Sequence, residues 1–279
     1  MEKAEIVLNS LPMSGGDGPN SYSKNSHLQR RTTSLLKETI DKLIVEKLDA
    51  KTLVSGSNTF RIADLSCATG PNTFFFVDDI IRSVETNLRQ SNSSKPEFLV
   101  YFNDLPENDF NTLFTSLPQD RSYFAVGVPS SFYGRVLPQS SVHIVVTWWT
   151  KSSKAWNKGK VHYSNAAEEV VKAYERQFGR DRGKFLEARA KELVSGGLLV
   201  AGMCGIPKGM PFSSLADGIM YTSMAEVLIQ MQSQMNHMAK ATKPITTAPT
   251  VPIPKSTSNS IPLLVLVLTD NSLCTLCVL

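Results

Sequence analysis

A chain of 279 residues with 42% hydrophobic and 19% charged residues is long enough to bury a full core as one large or two modest domains. Its net charge is +4, and Lys240, Lys243 and Lys255 against Asp270 put part of that excess in the tail. With no stripe of Lys and Arg interleaved with aromatics, nucleic acid is excluded as an expected partner. The start, Met1 to Glu5, lacks the apolar core of a signal peptide, and no apolar run is long enough to span a bilayer. Four cysteines in a chain of this size fit a reducing compartment, so the expected location is cytoplasmic.

In chain order, residues 13–20 form a loop by their Gly, Asp, Pro and Asn content. A helix begins around Ser21 to Asn25 and continues, with a break, through Leu35, Leu36, Ile40, Leu43, Ile44 and Leu48. Phe60 to Leu65 reads as a first strand. Ser66 to Gly70 is a small-residue loop, and a helix follows with Asn72, Thr73 or the loop before them as its cap. Phe74, Phe75, Val77, Ile80, Ile81 and Val84 give that helix its expected apolar face. A second strand, Phe98 to Phe102, ends in Asn103 and Asp104. A third runs from Tyr123 to Val128, and a fourth, Val142 to Trp149, is apolar throughout, as in a strand covered on both faces. Ala166 to Phe178 and Lys184 to Leu193 read as two amphipathic helices. Ser195-Gly196-Gly197 reads as a turn into a fifth strand, Leu198 to Met203. This alternation of β and α predicts a parallel sheet. From 232 to 260 the chain is rich in Ser, Thr, Pro and Lys without periodicity, which predicts disorder. The apolar end, Ile261 to Leu279, is either a docking strand or an exposed liability.

The first strand, loop and helix form the opening unit of a doubly wound sheet, with the loop at the carboxyl end of the strand where such sheets bind nucleotides. Asp104 closes the second strand, where an acid accepts hydrogen bonds from ribose hydroxyls. The loop is neither G-x-G-x-x-G nor a P-loop, so a nucleoside without pyrophosphate fits better, S-adenosylmethionine (SAM) foremost. An NAD-type oxidoreductase is disfavoured for the same reason. The four histidines are scattered without metal spacing, and Cys274-Thr275-Leu276-Cys277 lies in an apolar tail where a metal or redox role is not expected.

Four strings carry a family resemblance: Met13 to Tyr22, Ala63 to Thr73, Phe102 to Asn111, and Ser131 to Arg135. Together with Trp156-Asn157-Lys158-Gly159-Lys160, in this order, they resemble the plant SABATH methyltransferases, among them salicylic, benzoic and jasmonic acid carboxyl methyltransferases and caffeine-pathway N-methyltransferases. The resemblance covers roughly residues 6–231. It implies a methyltransferase domain at 1–231, incomplete, and an unrelated tail at 232–279. The implied fold is an α/β, Rossmann-like class I methyltransferase sheet with helices on both faces, lacking the C-terminal strands and part of the helical cap.

The implied activity is SAM-dependent methyl transfer to the carboxylate of a small plant acid. The alternative is a catalytically impaired or non-catalytic relative that retains partial SAM binding. By the resemblance, Tyr22, Ser26, Cys67, Asn72, Asp104, Leu105, Ser131 and Phe132 line the cofactor. Gln29, Trp148 and Trp149 contact the substrate, and Asn157 matches a position credited with Mg²⁺ in some family members, whose companion ligands lie in the missing C-terminal part. No catalytic acid or base is implied, because a carboxylic acid is already ionised at neutral pH. A homodimer is among the assemblies the resemblance allows. Three departures stand out: Ser66 and Ser130 occupy positions held by Gly in the family, and the segment that carries the family's carboxylate-binding Trp is missing after Trp149.

Overall fold

The structure is a computed structural model that describes residues 13–16, 18–55, 57–149, 168–204, 214, 218–219, 223–224, 226–227, 230–231, 263–269 and 272–278. The chain divides into two compact units, one comprising Met1–Thr150, Asp181–Met203 and Leu264–Val278, the other Lys151–Arg180, Cys204–Leu263 and Leu279. The predicted disordered stretch, 232–260, lies outside the described residues.

The expected break in the N-terminal helix falls at Ser26. α1 (Tyr22–Asn25) and α2 (His27–Lys47) meet at Ser26, whose backbone leaves the helical region at φ −103° and ψ 30°. A short α3 (Ala50–Ser55) follows that periodicity does not reveal. Its signal is local: Asp49 accepts from the Thr52 amide at 3.1 Å and from the Thr52 hydroxyl at 2.6 Å.

The sheet consists of β1 (Thr59–Leu65), β2 (Glu97–Asp104), β3 (Tyr123–Pro129), β4 (Val142–Trp149), β5 (Leu193–Cys204), β6 (Leu263–Thr269) and β7 (Ser272–Val278) in the order β3-β2-β1-β4-β5-β6-β7. The pairs β2·β3, β1·β2, β1·β4 and β4·β5 are parallel. Strand order reverses between β1 and β4, which places the switch point of this doubly wound sheet at the carboxyl end of β1. The edge beyond β5, expected to lack the family's last strands, is occupied by β6 and β7 from the apolar tail, so of the two expectations for that segment the docking strand holds.

Residues Val142 to Val146 of β4 are fully buried, as expected for a strand covered on both faces. Phe60, Ile62, Phe98, Val100, Phe102 and Leu198 to Ala201 extend the same core. α4 (Pro71–Gln90) packs Phe74, Phe76, Val77, Ile80, Ile81, Val84 and Leu88 inward, with Phe74 edge-on to Phe102 at 5.9 Å. The expected apolar face is corrected at one position: Phe75 is exposed and Phe76 is buried. A helix started by Pro71 turns Phe75 away from the sheet, where the Arg30 guanidinium lies 4.6 Å from its ring centre. α2 binds α4 through polar contacts as well, with Lys37 bridging Asp41 and Asp79 at 3.2 and 3.3 Å and Asn87 donating to the Ile44 carbonyl.

Two further expectations are corrected. α6 (Glu168–Glu192) is one continuous helix rather than two, with Gly179 and Gly183 accommodated inside it. β5 begins five residues earlier than predicted. Ser195-Gly196-Gly197 is a bulge inside the strand: β4 advances from Val142 to Ile144 while β5 advances from Leu193 to Leu198. Gly196 supplies the left-handed backbone this requires, at φ +75°. Opposite the bulge, His143 turns its ring into the sheet, where Nδ1 accepts from the Arg61 amide at 2.8 Å and the ring stacks on Phe60 at 4.7 Å. α5 (Phe110–Thr115), also unpredicted, is capped by Asp109, which accepts from the Thr112 amide.

Candidate cofactor site

At the carboxyl end of β1 the chain turns through two non-glycine residues in the left-handed region, Ser66 at φ 69° and Ala68 at φ 52°. Such residues persist only where their surroundings fix them. Here the Asn103 carbonyl at the end of β2 accepts from both the Ser66 and the Cys67 amides, at 2.8 and 3.1 Å. The Ala68 amide donates to Asp104 Oδ2 at 2.8 Å, and Asn108 donates to the Ala68 carbonyl at 3.1 Å. The first-strand loop is therefore fixed from the side of β2. Ser66, where the family has Gly, stands at a position whose backbone favours Gly.

Gly70 caps α4, with Pro71 in its first turn, so of the expected caps the loop takes the role. That frees the next two side chains. Asn72 reaches back to Ser26, donating to its hydroxyl at 2.8 Å and its carbonyl at 3.2 Å. The Thr73 hydroxyl donates to Asp64, a fully buried carboxyl at the end of β1. Burial raises the Asp64 pKa to about 7, with the Thr73 hydrogen bond opposing that rise and the Asp104 charge adding to it. Tyr22 lies against Gly70 so closely that a Cβ there would sit 2.9 Å from its ring. Burial raises the Tyr22 pKa, with Asn72 opposing and the charges of Asp64, Asp104 and Cys67 adding. Burial likewise raises the Cys67 thiol well above its ordinary value, so it is not a nucleophile near neutral pH.

Asp104 is half-buried. Its Oδ1 accepts from the Leu105 amide at 2.8 Å and its Oδ2 from Ala68, and each oxygen has a further lone pair. Burial raises its pKa and the two amides oppose this. The loop after β3 is fastened to the same strand end: the Ser130 amide donates to the Asp104 carbonyl at 2.9 Å, and Asn103 donates to the carbonyls of Val128 and Ser130 at 2.7 and 2.8 Å. Ser131 is exposed and Phe132 half-buried on that loop.

Tyr22, Ser26, Cys67, Asn72, Asp104, Leu105, Ser131 and Phe132 thus share the carboxyl ends of β1, β2 and β3 and the chain segments that meet there. Gln29 lies in the first turn of α2 with its side chain exposed. Trp148 and Trp149 end β4, paired with Gly202 and Met203, and their side chains lie outside the described residues, as does Asn157. A cavity of about 220 Å³ lined by Arg30, Phe75, Asp79 and Arg82 shares only Asn72 with the expected cofactor residues. No cluster of metal-ligating side chains occurs among the described residues, and no helix there is long and apolar enough to cross a membrane. Sequence reasoning missed Asn103 and Asn108, whose neighbours in the Asn103-to-Asn111 string carry a clear turn signal but no hint of these bonds.

Residues 8–241 match the model of the SAM dependent carboxyl methyltransferase family. The chain is 43% identical over 247 residues to loganic acid O-methyltransferase of Catharanthus roseus, an alignment covering 83% of this chain and 66% of that one. It is 42% identical over 240 residues to farnesoic acid carboxyl-O-methyltransferase of Arabidopsis thaliana, covering 81% and 68%. Among solved structures, loganic acid methyltransferase with SAH superimposes with a TM-score of 0.74 at 41% identity, covering 83% of this chain and 68% of that one. The chain spans about two thirds of the length of these relatives. With its four motifs, its strand order and its β1 loop all in agreement, the chain belongs to the SABATH family of SAM-dependent carboxyl methyltransferases.

Proposed function

We propose that this protein transfers a methyl group from SAM to the carboxylate of a small plant acid. The observation that carries the reading is the β1 loop and Asp104 held as one unit at the switch point of the sheet. Bound SAM supplies an electrophilic methyl on a sulfonium. Asp104 accepts from the ribose hydroxyls, Leu105 and Phe132 flank the adenine, and Tyr22, Ser26, Cys67 and Asn72 surround the methionine portion. Gln29, with Trp148 and Trp149, orients the acid.

The chemistry asks little more of the chain. The acid arrives ionised, so no residue has to remove a proton. One C–O bond forms as the sulfonium C–S bond breaks, and the electron pair stays on sulfur, giving a methyl ester and S-adenosylhomocysteine. The protein's contribution is alignment of oxygen, methyl and sulfur, which can be worth many powers of ten in rate. Names of relatives that act on loganic and farnesoic acids support a carboxylate as acceptor.

The test is titration calorimetry with S-adenosylhomocysteine, followed by ester formation from SAM across a panel of small plant acids. Binding and ester formation are expected, with Asp104→Ala weakening binding by about 2–5 kcal/mol for two charge-assisted hydrogen bonds. Equal binding by wild type and Asp104→Ala refutes the assignment.

A further inference from the structure

The loop after β3 is fastened at both ends, and its second fastening uses two residues outside the expected cofactor set. Arg189 and Glu192, one turn apart at the end of α6, are both fully buried. A buried ion pair of this kind is weak evidence for stability, since a well-packed apolar pair often does as well. The pair does something more specific. Arg189 Nε and Nη2 donate to the two Glu192 carboxylate oxygens at 2.8 and 3.0 Å. Its remaining donors go to the loop: Nη1 to the Phe132 carbonyl and Nη2 to the Gly134 carbonyl, both at 2.8 Å. Glu192 Oε1 accepts from the Val136 and Leu137 amides at 2.6 and 3.0 Å. One buried pair thus satisfies two carbonyls and two amides of residues 132–137. The Phe132 ring meets Phe185 of the same helix edge-on at 5.8 Å.

We propose that Arg189 and Glu192 are positioning residues that hold the 132–137 loop so that Phe132 is set in place for the adenine before the cofactor arrives. This rests on the cofactor reading given above. Five donors in a rigid planar fork allow Arg189 to span two carbonyls and a carboxylate at once, which Lys cannot do. A loop ordered in advance loses little freedom when ligand binds, so its effect falls on affinity.

The test compares wild type with Arg189→Met combined with Glu192→Met, and separately with Arg189→Lys, by calorimetry with S-adenosylhomocysteine. The apolar pair keeps α6 packed, and the Lys variant keeps a partner for Glu192 if the double variant does not fold. A positioning role predicts a Kd raised about tenfold or more with unchanged stoichiometry. A merely structural role predicts a lowered binding stoichiometry with unchanged Kd. Amide exchange across 132–137 should quicken in both variants while 60–68 keeps its protection. If wild type binds and the variants bind with the same Kd, the clamp is refuted and the cofactor reading stands. If wild type itself fails to bind, the cofactor reading falls and takes the clamp with it.

Discussion

Two buried groups on neighbouring strands titrate in overlapping ranges with opposite effects on stability. Asp64 has its pKa raised to about 7 by burial, so between about pH 4, where it ionises in the unfolded chain, and pH 7 the folded protein holds a proton that the unfolded chain has released. Stability attributable to Asp64 therefore falls as pH rises, by about 1.4 kcal/mol per pH unit. His143 has its pKa lowered to about 4, by burial first and by the Arg61 charge. Between about pH 4 and 6.5 the unfolded chain carries the extra proton, so stability attributable to His143 rises with pH at a similar slope. From about pH 4 to 6.5 the two effects nearly cancel. Asp64→Asn, which can still accept from Thr73, should expose the rising limb: its stability relative to wild type should grow by about 3 kcal/mol across that range. His143→Asn, whose amide oxygen can take the Arg61 amide, should show the opposite trend. Urea denaturation at half-unit pH steps measures both, and differences from wild type remove the contributions of other groups. A pH-independent difference for Asp64→Asn refutes the protonated buried carboxyl.

Other perturbations follow from the same geometry. Ser66→Gly removes a left-handed non-glycine residue that costs about 1–2 kcal/mol and adds about 0.5–1 kcal/mol of chain entropy to the unfolded state, so a net gain of about 0.5–1 kcal/mol is expected in chemical denaturation. Gly70→Ala drives a methyl toward the Tyr22 ring and should weaken S-adenosylhomocysteine binding about tenfold or more by calorimetry, with little change in unfolding midpoint. Phe185→Ala deletes a fully buried ring beneath Phe132 and should cost about 3–5 kcal/mol in denaturation.

Much of the fold was legible because buried parallel strands are long apolar runs. β4 was read to the residue, and β1 and β2 to within two residues. The failures have specific causes. Ser195-Gly196-Gly197 has turn composition, yet hydrogen bonding on both sides keeps it in β5 as a bulge, a choice made by the partner strand. Gly179 and Gly183 weaken helical periodicity without ending α6, because a glycine in a helix costs about 1 kcal/mol, less than a long helix can absorb. At the site, the residues near the β1 loop carried motif signals. Arg189 and Glu192 carried none, since an Arg and a Glu three apart near a helix end look like an ordinary solvent pair until the 132–137 loop closes over them.

Asn103 has a consequence for how the site opens. Its carbonyl holds the Ser66 and Cys67 amides, and its side chain holds the Val128 and Ser130 carbonyls. The loops after β1 and β3 are therefore fastened to one buried residue through different atoms. When the end of β2 yields, both loops lose that fastening together. The amides of Ser66 and Cys67, which share the Asn103 carbonyl, should accordingly exchange with solvent at one common opening free energy.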